Sequence, residues 1–177
     1  RLWEEKVKKV RIFYIADTHF GDDNIRKFEN RPFDTVIQMT RGLVERWNET
    51  VSEEDTVYVL GDFCLESEIK NVLAEKKLNG KIILIVGNHD KGLEDTYRKY
   101  GVEVIEYPIV IDGFWILSHE PMYVSEQSPY ANIYGHVHNN PMYKTVSSRS
   151  YCVSVERIGY RPIELEKVKR EVLANNK

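Results

Sequence analysis

The five histidines of this 177-residue chain, His19, His89, His119, His136 and His138, each stand in a polar cluster that follows a short apolar run. Asp17-Thr18-His19 ends the first such run, Gly61-Asp62 the second and Gly87-Asn88-His89-Asp90 the third. Ser118-His119 and Gly135-His136-Val137-His138 follow later ones. Imidazole nitrogen and carboxylate oxygen together make a ligand set for zinc, manganese or iron, whereas magnesium or calcium favours oxygen alone. Side chains two residues apart in extended backbone point the same way, so Asp17 with His19, and His136 with His138, are expected to act as pairs. Gly61, Gly87 and Gly135 would let the chain turn sharply and come close to a metal. Taken singly, each motif fits ordinary turn chemistry. Their joint occurrence, with every histidine used, points to a metal centre.

Such a centre needs elements that bring distant loops together. The runs VRIFYIA at 10–16, TVYVL at 56–60 and IILIV at 82–86 read as buried strands, each stopping at one of the polar clusters. Between the first two, Val36, Ile37, Thr40, Leu43, Val44 and Trp47 recur at helical spacing, with Asp34 as the expected N-cap. A second helix is predicted over 67–78, stopped by Asn79-Gly80, and a weaker one over 93–100, closed by Gly101. Alternating strands and helices imply parallel pairing, and ligands collect at the carboxyl ends of such strands. Beyond residue 101 the pattern changes to strands over 102–107, 114–118, 132–134 and 150–155, which predicts a second sheet. A closing helix over 165–174 would bury Leu165, Val168, Val172 and Leu173.

Length and composition bound the rest. A chain of 177 residues suits one domain, expected to span 1–177. Hydrophobic residues at 42% and charged residues at 30% fit a globular protein. A formal charge of −3 gives no bulk attraction to a polyanion, so no stable nucleic-acid complex is expected. Two cysteines, Cys64 and Cys152, are too few for a disulfide framework, lack zinc or redox spacing, and fit a cytoplasmic location. No apolar run approaches the roughly 20 residues that span a bilayer, and RLWEEKVKKV does not resemble a signal peptide.

The ordered blocks Asp17-x-His19, Gly61-Asp62, Gly87-Asn88-His89-Asp90, His119 and Gly135-His136-x-His138 resemble the signature of the calcineurin-like metallophosphoesterases, in particular their compact bacterial, archaeal and phage members. The resemblance implies an αββα sandwich, two mixed sheets flanked by helices. It implies one divalent metal on Asp17, His19 and His138, a second on Asn88, His119 and His136, and Asp62 bridging them. Manganese is the first choice, with zinc, iron or nickel as alternatives. His89 matches the family's non-ligand histidine at the leaving-group side. Some protein phosphatases of this class carry an aspartate three residues after the bridging one; here Leu65 stands there, and Asp90 is the candidate to orient the site instead.

Two divalent ions bring four positive charges and two aspartates return two, so the centre attracts a phosphate anion, and water activated between the metals is the expected nucleophile. Asn88 contributes a ligand oxygen without cancelling charge. Arg26, Arg31, Lys91 and Asn24 are candidate phosphate contacts, and Tyr123 and Tyr130 candidate stacking partners for a base. Chain length leaves no room for a large capping domain, which predicts an open cleft for small or nucleotide-type phosphodiesters. A phosphomonoesterase or pyrophosphohydrolase is the alternative on the same site. A non-catalytic scaffold on this fold is the alternative of another class, against which the presence of His89 and every ligand speaks. A closed structural zinc site would be cysteine-rich.

Overall fold

The computed structural model describes residues 9–74, 77–143 and 147–174. Its first sheet has the strand order β4-β3-β2-β1-β9, in which β1 (Ile12–Ile15), β2 (Thr56–Val59), β3 (Lys81–Ile85) and β4 (Glu103–Ile105) are parallel and β9 (Ile163–Glu164) pairs antiparallel with β1. The second sheet runs β5-β6-β7-β8. In it β6 (Trp115–Leu117), β7 (Ala131–Tyr134) and β8 (Ser150–Cys152) are parallel and β5 (Ile109–Ile111) is antiparallel to β6. The two mixed sheets with their helices are the sandwich expected from the sequence.

Alternation along β1 divides the interior. Phe13 and Ile15 point to one side and pack with Met39, Leu43 and Trp47; Tyr14 and Ala16 point to the other and pack with Trp115, Leu117 and Ile133 of the second sheet. Each large apolar side chain buried this way contributes roughly 1.5–3 kcal/mol. Met39, Leu43 and Trp47 lie four residues apart and form the buried stripe of α2 (Val36–Thr50). Thr35, not Asp34, caps that helix: its hydroxyl accepts from the Gln38 N–H while the Gln38 side chain returns to the Thr35 N–H, a reciprocal pair that Asp34 is one residue too early to make.

Several other elements differ from the sequence reading. The second predicted helix is a 3-10 turn at Glu66–Glu68 followed by α3 (Ile69–Leu73); residues 75–76 of the prediction lie outside the described residues. Residues 102–107 yield β4, which joins the first sheet, and the chain crosses at Tyr107-Pro108 to begin β5 in the second. Pro108 has no N–H to offer a ladder, so one strand cannot run through it. Short α1 (Asp23–Phe28), capped by Asp22, was not expected, nor were β5 and β9. Helix α4 (Glu94–Lys99) lies within its predicted span, and α5 (Leu165–Ala174) matches its own, packing on β1, β8 and β9 with Leu173 exposed. Among the described residues no helix is long and apolar enough to cross a membrane.

One backbone crossing joins the sheets. Just past β1, the Ala16 N–H donates to the Val153 carbonyl at 2.9 Å, and the Val155 N–H donates to the Ala16 carbonyl at 3.1 Å. This parallel bridge sets the carboxyl ends of β1, β2 and β3 at the same edge as those of β6, β7 and β8.

Candidate metal centre

Six parallel strands thus deliver six loops to one place. Ligand-type atoms of Asp17, His19 and His138 lie within 4.8 Å of one another, and those of Asp62, His119 and His136 form a second such group. Asn88 joins the second, its Oδ1 3.0 Å from His119 Nε2. Asp62 lies between the groups: its Oδ2 is 3.5 Å from His19 Nε2 and 3.5 Å from His119 Nε2. The His89 ring approaches edge-on, 5.3 Å from the His19 ring, with Nε2 4.0 Å from Asp62 Oδ2. Its side chain is 60% exposed where those of His19, His119 and Asp62 are buried, so it stands at the mouth. All seven residues proposed as ligands, and His89, converge.

The donor set fits divalent cations. Asp17 Oδ1 and His19 Nε2 are buried without a hydrogen-bond partner among the described residues, a cost of about 1–3 kcal/mol per group that a bound cation would remove. The other ring nitrogens are already oriented. His119 Nδ1 lies 2.8 Å from the Leu60 carbonyl, and His138 Nδ1 lies 3.1 Å from Glu156 Oε1. Both acceptors hold a proton on Nδ1 and leave Nε2 as the nitrogen that faces the centre. Without a cation the charges are strained. Burial pushes the Asp17 carboxyl up to about 6 and the His19 imidazole down to about 3. Burial also disfavours charge on Asp62 and His119, but their mutual hydrogen bond and attraction win, lowering Asp62 to about 2 and raising His119 to about 9.

Around these atoms lies a supporting shell that the sequence reading assigned otherwise or missed. Arg31, expected to meet phosphate, is buried; its guanidinium donates to the carbonyls of Asp17 at 2.6 Å and Thr18 at 2.8 Å and to Glu156 Oε1 at 2.7 Å. Glu156, in turn, holds His138. Ser154 Oγ donates to Asp17 Oδ2 at 2.6 Å. A strand over 150–155 would have absorbed Ser154 and run up to Glu156, but β8 stops at Cys152, so both obey the same rule as the other site residues, polar groups just past a strand. Asp90, expected to orient the site, acts through the backbone. It accepts the N–H groups of Asp62, Phe63 and Gly87 and the Tyr97 hydroxyl, all within 3.0 Å, and so fixes the backbone that carries Asp62. Arg26 is engaged by Asp23 and the Phe33 carbonyl. Lys91 is the candidate cation that lines the same recess as Asn88 and His119.

The loops themselves are unusual. Among the described residues eight non-glycine positions have positive φ, and five of them are Asp17, His19, Asp62, His136 and His138. Their backbone is therefore not extended, which corrects the pairing expected from two-residue spacing: Asp17 and His19 do share a group, but His136 and His138 diverge to different ones. Gly61, at φ +85°, and Gly87 lie so near the ligands that a Cβ would strike the His119 ring and the Asp62 carboxylate respectively.

The family model for calcineurin-like phosphoesterases matches residues 10–173. An uncharacterized protein of Methanocaldococcus jannaschii is 37% identical over 168 residues, covering 88% of each chain. A crystal structure of a protein of unknown function from Aquifex aeolicus superposes with a TM-score of 0.73 at 25% identity, covering 92% of this chain and 99% of that one. The Pseudomonas putida nuclease MPE shares the fold, with a TM-score of 0.52 at 24% identity over 72% of this chain and 62% of that one.

Proposed function

Because the chain belongs to the calcineurin-like phosphoesterases, we propose that it hydrolyses phosphate esters at a binuclear centre, with phosphodiesters of small or nucleotide type as the preferred class. The observation that carries this reading is the Asp62 carboxylate oxygen equidistant, at 3.5 Å, from one histidine of each group, the position a shared ligand needs. In the proposal Asp17, His19 and His138 would hold one divalent ion, Asn88, His119 and His136 the other, and Asp62 both, with manganese the first choice and zinc, iron or nickel also suited to the mixed nitrogen and oxygen donors. When bound, the pair supplies an activated water and a positive site for the phosphoryl oxygens. The protein's own groups do the rest. Asn88 ligates through a neutral oxygen and so preserves positive charge for the substrate. His89, exposed at the mouth and 4.0 Å from Asp62, is placed to give a proton or hydrogen bond to the departing oxygen.

The test is hydrolysis of bis-p-nitrophenyl phosphate and p-nitrophenyl phosphate after chelation and re-addition of manganese, zinc, nickel or magnesium. Activity should vanish with chelation, return with metal and favour the diester. Asp62→Asn should lower the metal content measured by elemental analysis; an unchanged stoichiometry would refute the bridge.

A further inference from the structure

Two recesses open on the proposed centre, and they share no wall residue. One, of about 290 Å³, reaches the ligands Asn88 and His119 and is walled by Tyr107, Met122 and Lys91. The other, of about 560 Å³, reaches His136 and His138 and is walled by Phe28, Tyr143 and Glu29. Both volumes are near or within the range that accommodates small ligands, about 300–1,000 Å³. Their walls carry large apolar side chains in solvent: Phe28, Tyr107, Met122 and Tyr143 are all exposed. Their charge is poor in cations. Among the described lining residues, Lys91 shares the first recess with Glu106, itself paired with Arg98, and with Glu120; Glu29 is the charged residue of the second apart from the site histidines, with Arg157 behind its wall, donating to the carbonyls of His138, Asn140 and Tyr143.

We infer that the centre takes a phosphodiester bearing an uncharged, flat organic arm on each side of phosphorus, one arm lying against Tyr107 and the other against Tyr143. This deepens the phosphoesterase reading and rests on it. A monoester would leave one recess filled with water. A pyrophosphate or nucleoside polyphosphate would place further anionic oxygens beside Glu29 or Glu106 and Glu120, with Lys91 the cation among the described lining residues to meet them, and like charges there repel. Aromatic faces suit planar arms of the aryl or nucleobase kind, whose stacking contributes about 1–3 kcal/mol each.

Single variants Tyr107→Ala and Tyr143→Ala test the assignment. Both side chains are exposed, so the fold should survive, and circular dichroism checks that it does. Each variant should raise KM for bis-p-nitrophenyl phosphate about 5- to 20-fold, while the inhibition constant of inorganic phosphate, which needs only the centre, stays within about twofold. In calorimetry with manganese-loaded protein, diphenyl phosphate should bind more tightly than dimethyl phosphate, and each variant should narrow that gap. Turnover by the wild type with KM unmoved in both variants, or equal affinity for the two diesters, would overturn the two-arm assignment and leave the phosphoesterase reading standing. Absence of metal-dependent hydrolysis of any ester by the wild type would overturn both.

Discussion

His89 and His138 illustrate how differently two histidines of one cluster are held. The His89 ring is mostly in solvent and reaches the cluster only by its edge; His138 is clamped by Glu156, which Arg31 clamps in turn. His89→Ala should therefore keep its metal, by elemental analysis, and lose roughly 10²- to 10⁴-fold in kcat; wild-type turnover would remove His89 from the chemistry. Glu156→Ala should weaken metal binding by about 10- to 100-fold, measured by competition with a chelating dye. Glu156→Gln, which keeps an acceptor for His138 Nδ1, should recover part of that loss, and a Gln variant as defective as Ala would assign Glu156 to folding alone.

The strands carry those residues because they are tied at both ends. At the amino end, Asp55 lies just before β2 and accepts the Arg11 N–H at 3.0 Å, the Arg11 guanidinium at 2.7 Å, and the Ser52 N–H and hydroxyl at 2.8 and 2.7 Å. Burial alone would raise its carboxyl, but these donors hold it below the usual carboxylate range. A depressed folded value means that the unfolded chain takes the proton first, so this contribution is complete above about pH 4 and fades as pH falls below it. Asp55→Asn should cost about 2 kcal/mol near neutrality and flatten the acid limb of a urea-unfolding series; a loss that persists undiminished at pH 3 would contradict the charge assignment. The three parallel strands ending in polar clusters were legible because continuous apolar runs broken by Asp, Asn and Gly have few other readings. Strands β5 and β9 were not, since three and two residues are too few to establish a period. Thr35 prevailed over Asp34 through the Thr35-x-x-Gln38 capping box, a signal legible in the spacing that a choice by residue type alone passed over, and Arg31 was misjudged because a guanidinium's burial depends on carbonyls distant in sequence.

At the level of the whole molecule, folding concentrates ionisable groups that are uncomfortable together until a cation arrives. With Asp17 raised to about 6, His119 to about 9, and His138 raised, against the effect of burial, by its hydrogen bond to Glu156, protons compete for three of the proposed ligands, and Asp17 and His119 set the limits of the interval. Below pH 6 both are protonated; between about 6 and 9 Asp17 is free and His119 still carries its proton; above 9 both are available. Metal affinity should therefore rise with pH across this interval, and binding near pH 7 should release at least one proton, from His119, with a further contribution from His138. Calorimetry in buffers of different ionisation enthalpy checks the number, and a pH-independent affinity between 6 and 9 would contradict it. By mass action a bound ion would also stabilise the fold, by about 2.7 kcal/mol per site at a hundredfold excess over Kd, so chelation should lower Tm.

The left-handed backbone at Asp17, His19, Asp62, His136 and His138 restricts what mutation can offer at these sites. Aspartate, asparagine and histidine are the non-glycine side chains that enter that region most readily. Glutamate and cysteine are competent donors in solution, but there they would meet a conformational penalty before meeting any ion. The peptide geometry and the coordination chemistry thus recruit from the same short alphabet, and an attempt to retune the centre toward softer metals by Asp→Cys or His→Cys exchange would be opposed first by φ.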